Sequence, residues 1–170
     1  MRFIRVIMII LAGVMLTACA TKFRSYNGPT VTGIEIHKAE RKMYLLHQGT
    51  VLRTYDIALG GNPVGHKQFE GDGKTPEGVY FISHKNPKST YHLSLGVSYP
   101  NDADRAFAAS QGKQPGGDIF IHGGPPKKVS GRPRVPRNAD WTAGCIAVTD
   151  KEIEEIFSMI ETRTSVRILP

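Results

Sequence analysis

The sequence predicts a mainly β, single-domain fold, sandwich-like or barrel-like, with two short helices. Three observations predict it. The 170 residues include 18 glycines and 11 prolines, turn formers that cut a chain into short elements. Between those breaks lie about eight segments that either alternate apolar and polar residues or run apolar, the pattern of strands. Only two segments carry helix signals. With 40% hydrophobic and 22% charged residues, the composition is that of a globular chain, long enough to enclose one core.

Val31 to His37 alternates as a strand. Met43–Gln48 and Val51–Ala58 read as two strands around a hairpin turn at Gly49-Thr50. Gly60-Gly61-Asn62-Pro63 breaks the chain, and residues 71–78 form a loop of turn formers. Val79–His84 and His92–Tyr99 are further strands. Asp102 to Gln111 is a short helix with Asn101 or Asp102 as its N-cap and Gly112 just past its end. Asp118 to Ile121 is a short apolar strand ending at His122, and Cys145 to Val148 is another. Thr149 opens the second helix, with Glu152 completing a capping box. Ile153, Ile156, Phe157 and Ile160 follow at the spacing of one buried helical face. Ser165 to Leu169 closes the chain as a strand.

Residues 1–18 have the parts of a secretory signal: Arg2 and Arg5, then an apolar stretch from Val6 to Leu16. Leu16-Thr17-Ala18-Cys19 resembles a bacterial lipobox, which implies cleavage before Cys19 and a lipid anchor on it. Ala20 in the next position favours the outer membrane. Residues 19–30 then form a tether, and 31–170 the folded domain. Removing residues 1–18, with their two arginines, leaves 152 residues and lowers the formal charge from +7 to +5. That balance suits an anionic envelope. Without a tight Lys/Arg cluster among aromatics, nucleic acid is not an expected partner.

With Cys19 lipidated, Cys145 is the single thiol left in an oxidising compartment. Such a thiol is either an inert core residue or a nucleophile. Two fragments favour the nucleophile: Ile119-Phe120-Ile121-His122-Gly123-Gly124 and Asp140-Trp141-Thr142-Ala143-Gly144-Cys145-Ile146. Each sets a reactive side chain where an apolar strand meets small residues that let a substrate approach. An imidazole beside the sulfur holds it deprotonated near neutral pH. The N–H groups of Gly144 and Cys145 are candidate oxyanion donors. A backbone carbonyl, that of Gly123 or a neighbour, is the candidate for orienting the ring, because no Asp or Asn is placed for it.

These residues resemble the L,D-transpeptidase catalytic (YkuD-type) domain family. The matching elements are Ile121-His122-Gly123, Thr142-Ala143-Gly144-Cys145-Ile146 and the upstream Gly71-Asp72-Gly73-Lys74-Thr75-Pro76-Glu77-Gly78-Val79-Tyr80. Leu95 to Asn101, Asp104-Arg105 and Asp140-Trp141-Thr142 are similar to a YafK-like branch. The resemblance implies a β-sandwich with Cys145 and His122 facing one cleft, and peptidoglycan stem peptides as substrate. It further implies that Cys145 attacks a meso-diaminopimelate carbonyl and that the thioester passes to an amine. The alternative is a hydrolase of the same family that releases a murein-attached lipoprotein. From another class, the alternative is a non-catalytic cell-wall-binding lipoprotein. Many members carry Arg two residues after the Cys, where this chain has Ala147. That leaves carboxylate recognition open and makes room for water as acceptor.

Thr142 is expected to shape the turn or bond near the thiol. Trp141 is a cleft wall or a core aromatic. His92 is a substrate-side residue or a strand-face histidine. The remaining histidines lack metal-ligand spacing, so neither metal nor other cofactor is expected. Asp72 and Lys74 read as turn and salt-bridge residues. The basic loop Lys127 to Arg137 reads as a solvated flap, or as a lid over anionic substrate.

Overall fold

The structure, a computed structural model, describes residues 21–125 and 139–170. The signal segment 1–18, Cys19 and the basic loop 127–137 lie outside the described residues.

Eight strands and two helices are present among the described residues. In chain order they are β1 (Gly33–His37), β2 (Lys42–His47), β3 (Thr50–Asp56), β4 (Gly78–Asn86), β5 (Ser94–Val97), α1 (Asp102–Ser110), β6 (Phe120–His122), β7 (Ile146–Ala147), α2 (Asp150–Met159) and β8 (Ser165–Leu169). They form one sheet in the order β3-β2-β1-β8-β4-β5-β6-β7. The β2–β3 hairpin turns at Gln48 and Gly49, both with positive φ (48° and 83°). Two left-handed residues in succession match the right-handed twist of the flanking strands.

β4 is where the sheet curls. Its first half, Gly78 to Phe81, pairs with β8. Its second half pairs with β5, with a register shift between Ile82 and His84. Beyond β3, Ala58 bridges Ala147 and Gly60 bridges Thr142, so the chain leaving one edge of the sheet is tied to β7 at the other. The sandwich-or-barrel expectation resolves as a single curled sheet laced across its edges. Inside sit Ile34, Ile36, Met43, Leu45, Leu59, Ile82, Leu95, Ile121, Ile146 and Ile153, each at most 1% exposed. Each fully buried aliphatic of this size contributes roughly 1.5–3 kcal/mol.

Both helices begin with reciprocal capping boxes, Asn101 with Asp104 and Thr149 with Glu152. Asp104 is buried and also accepts from Tyr80 Oη at 3.1 Å while facing His66 Nε2 at 3.1 Å. It thereby ties α1 to β4 and to the loop after β3. α2 buries Ile153, Ile156 and Met159 and packs on β5 and β6. Phe157, expected on that stripe, is only partly buried and meets Phe23 of the N-terminal segment with ring centroids 6.4 Å apart and planes at 52°. No helix among the described residues is long and apolar enough to cross a membrane.

The N-terminal segment lies on the domain. Lys22 Nζ donates to the carbonyls of Pro87 (2.6 Å) and His92 (2.9 Å), bridging the two ends of the loop between β4 and β5. Arg24 pairs with Glu154 of α2 at 2.9 Å.

Candidate active site

The site is built on two adjacent short strands. β6 and β7 run parallel, with Ile121 opposite Ile146 and His122 opposite Ala147. Ile121 and Ile146 are fully buried. Side chains alternate along a strand, so His122 and Cys145, which directly precedes Ile146, emerge on the face away from those isoleucines. Both line one cavity of about 420 Å³, together with Tyr91, Asp118 and Phe120.

The turn before Cys145 is set by Thr142 and Gly144. Thr142 Oγ1 donates to the Cys145 carbonyl at 2.7 Å and accepts from the Gly144 N–H at 3.1 Å. Gly144 has φ +138°, and a Cβ there would lie 2.6 Å from the Lys74 carbonyl oxygen. Only glycine fits both conditions. The Gly144 N–H, an oxyanion candidate from the sequence, here donates to the Thr142 hydroxyl at 3.1 Å. The other candidate donor from the sequence is the Cys145 N–H. Upstream, Asp140 accepts from Arg41 Nη2 at 2.7 Å and Nε at 3.1 Å, and from the Leu59 N–H at 2.9 Å. This anchors the Asp140–Cys145 segment to the β1–β2 turn and to the chain leaving β3.

The imidazole is buried and held on three sides. Its Nδ1 lies 2.7 Å from the Gly123 carbonyl oxygen. A carbonyl only accepts, so Nδ1 carries the hydrogen, and in the neutral ring Nε2 is the basic nitrogen. Tyr91 lies against the ring with centroids 4.4 Å apart and planes at 33°. Trp141 meets it edge-on at 5.6 Å. Gly123 has no room for a side chain: a Cβ would lie 2.7 Å from the Tyr91 carbonyl oxygen and 2.8 Å from Asp150 Oδ1.

The electrostatics differ from the sequence expectation. Burial pushes the Cys145 thiol above its ordinary value, and the Asp118 carboxylate adds to that. A backbone hydrogen bond at Phe120 and the Lys67 ammonium pull the other way without reversing it. Burial lowers His122, against the Gly123 carbonyl, which raises it. Both shifts favour the uncharged forms. They run toward a thiol and a neutral imidazole, against the thiolate expected from adjacency alone. The Cys145 Sγ–H donates to the Asp118 carbonyl at 3.4 Å.

His92 departs from the expected strand. It has φ +71° and precedes β5, with Nε2 on Glu154 Oε1 at 2.8 Å. It lines a separate pocket of about 300 Å³ beside Lys22, Gly124 and Asp150, so it is not brought to the sulfur. Asp72 bonds Lys67 at 2.8 Å, and Lys74 donates to the Val64 carbonyl at 2.8 Å; both serve the 60–78 loop. Among the described residues no group of three or more His, Cys, Asp or Glu is placed to hold a metal. Asp118 and Arg41 were not anticipated from the sequence; their roles arise from contacts 27 and 99 positions apart.

Three comparisons with known proteins bear on this arrangement. The "L,D-transpeptidase catalytic domain" family, YkuD, matches residues 32–168. The Escherichia coli (strain K12) protein named "Putative L,D-transpeptidase YafK" is 31% identical over 134 residues, covering 75% of this chain and 46% of that protein. The crystal structure of the helical cell shape determining protein Pgp2 from Campylobacter jejuni superposes with a TM-score of 0.60 at 29% identity, over 84% of this chain and 49% of that one. Bdellovibrio bacteriovorus Bd1075 shares the fold, with a TM-score of 0.55 at 22% identity, over 86% of this chain and 50% of that one. The chain thus spans about half the length of these relatives. By its fold and its family match, the chain belongs to the L,D-transpeptidase catalytic domain (YkuD) family.

Proposed function

We propose that this chain is a cell-envelope cysteine acyltransferase acting on peptidoglycan stem peptides, with Cys145 as nucleophile and His122 as general base and acid. The observation that carries the reading is the shared cavity: His122 and Cys145 line it together, and the Gly123 carbonyl fixes the tautomer that leaves Nε2 basic. Nε2 takes the thiol proton as Sγ attacks the meso-diaminopimelate carbonyl. The Cys145 N–H supports the oxyanion, a donor worth about 3 kcal/mol. As the C–N bond breaks, the imidazolium returns its proton to the departing amine. The thioester acyl group then passes to an incoming amine, and the sulfur regains a proton.

Hydrolysis of the same thioester, releasing a murein-attached lipoprotein, is the second reading. Ala147 favours it: that residue is small, buried and bridged through its backbone to Ala58, so the cysteine strand offers no cation for a substrate carboxylate and leaves room for water as acceptor. In both readings a lipid on Cys19 keeps the domain at the membrane facing the periplasm, with the outer membrane favoured.

The test is mass spectrometry of the muropeptides released from purified sacculi treated with wild type or Cys145→Ala. A product with a new amide bond, absent with the variant, supports acyl transfer; cleaved products alone support the hydrolase. Identical profiles from the two proteins refute catalysis and leave a non-catalytic cell-wall-binding lipoprotein.

A further inference from the structure

The cavity at Cys145 carries one charge of each sign besides its catalytic pair. Lys88 and Asp118 both line it, from the β4–β5 loop and from the residue two before β6. Neither side chain has a hydrogen-bond or ion-pair partner among the described residues. Phe120, between Asp118 and His122 in sequence, adds an apolar wall. Ala147, buried against Ala58, contributes no cation, so among the described residues lining the cavity Lys88 is the only lysine or arginine.

Lys88 is presented by an ordered loop. The Asn86 side chain accepts from the Lys88 N–H at 2.9 Å, and the Lys22 ammonium ties Pro87 to His92 across the loop's ends. A cation and an anion, both exposed and both lining one cavity, match a ligand that carries both an ammonium and a carboxylate, joined to the reacting carbonyl by a short alkyl chain. A leaving residue cannot satisfy both, because its nitrogen is still the scissile amide.

We propose that Lys88 and Asp118 are the specificity-determining residues for the donor side chain: Lys88 reads the carboxylate and Asp118 the ammonium at the zwitterionic end of a diaminopimelyl residue. This rests on the stem-peptide reading above and assigns its recognition to two named side chains. Lys88 stands in for the cation that Ala147 does not supply.

The test is a binding titration on the full chain carrying Cys145→Ala, which keeps recognition measurable apart from turnover. Three synthetic stem tetrapeptides are compared, with diaminopimelate, lysine or norleucine at position three. The diaminopimelate peptide is expected to bind about tenfold more tightly than the lysine peptide, the size of one charge-assisted hydrogen bond. Lys88→Met should bring those two within about twofold, and Lys88→Arg should keep them apart. Asp118→Asn should weaken both while leaving the norleucine peptide unchanged. The assignment is overturned if none of the peptides binds or if Lys88→Met preserves the preference. It is equally overturned if Lys88→Met instead abolishes sensitivity to amidation of the C-terminal carboxylate, which would place Lys88 on the leaving residue. If the binding pattern holds and wild type makes no product, the assignment stands and the catalytic reading fails.

Discussion

Tyr91 lies against His122 with ring centroids 4.4 Å apart and planes inclined by 33°. The tyrosine comes from the loop after β4 and the histidine from the end of β6. Between Tyr91, Trp141 and the Gly123 carbonyl, the imidazole has one orientation with Nε2 free to act as base. Replacing Tyr91 with Ala removes a ring contact worth about 0.5–1.5 kcal/mol. Peptide turnover should fall about two- to tenfold, chiefly in kcat, and Tyr91→Phe should retain it. Steady-state kinetics of the two variants check this; equal rates for Ala and wild type would deny Tyr91 a positioning role.

The charge state of the site gives a pH prediction. Burial lowers His122 and raises Cys145, so both shifts favour the neutral pair. Activity needs the unprotonated imidazole, and its titration lies below the ordinary histidine value of about 6.5. On acidification kcat/KM should therefore hold through that value and decline only below it. Alkylation of Cys145 by iodoacetamide should be slow at pH 7 and rise at a pH above that of a free thiol. A preformed thiolate–imidazolium pair would reverse both signs, giving fast alkylation in the acid range.

Lys22 makes a third prediction. Its ammonium holds the ends of the β4–β5 loop through the Pro87 and His92 carbonyls, and that loop carries Tyr91 and Lys88. Lys22→Met removes two charge-assisted bonds, each worth about 1.5 kcal/mol at this half-exposed position. Amide exchange should accelerate in residues 87–92 and turnover should fall several-fold, with the melting temperature little changed. Unaltered exchange in that loop would contradict the role given to Lys22.

The backbone around the sulfur is intolerant of side chains. Gly144→Ala places a Cβ 2.6 Å from the Lys74 carbonyl oxygen at φ +138°, which costs about 1–3 kcal/mol and displaces the Cys145 turn. Asp140→Ala frees Arg41 and the Leu59 N–H at a similar cost. Thermal unfolding and kinetics should show both variants less stable and less active. A stable, fully active Gly144→Ala protein would mean the turn is not constrained as described.

Much of this was legible in the sequence because it is local. The alternation of apolar residues marked the strands, Thr149 and Glu152 marked the start of α2, and His122-Gly123 and Gly144-Cys145 placed an imidazole and a thiol at strand ends. What stayed hidden depends on long-range closure. His92 reads as a strand residue from its neighbours, yet its positive φ and the Glu154 carboxylate, 62 positions away, turn it to another pocket. The Gly144 N–H looks free in sequence and is taken by Thr142 Oγ1. The shift toward a neutral pair follows from burial, which only the curled sheet creates. Arg41 meets Asp140 across 99 positions because Ala58 and Gly60 lace the sheet edges together, and no local pattern encodes that.

The central claim is that the sulfur of Cys145 carries the acyl group with His122 as its base. Intact-protein mass spectrometry during incubation with a diaminopimelate stem tetrapeptide tests it most directly. The account predicts a transient adduct mapping to Cys145 in wild type, none in Cys145→Ala, and much slower accumulation in His122→Ala. Turnover of the peptide by Cys145→Ala, or an adduct on any other residue, would contradict it.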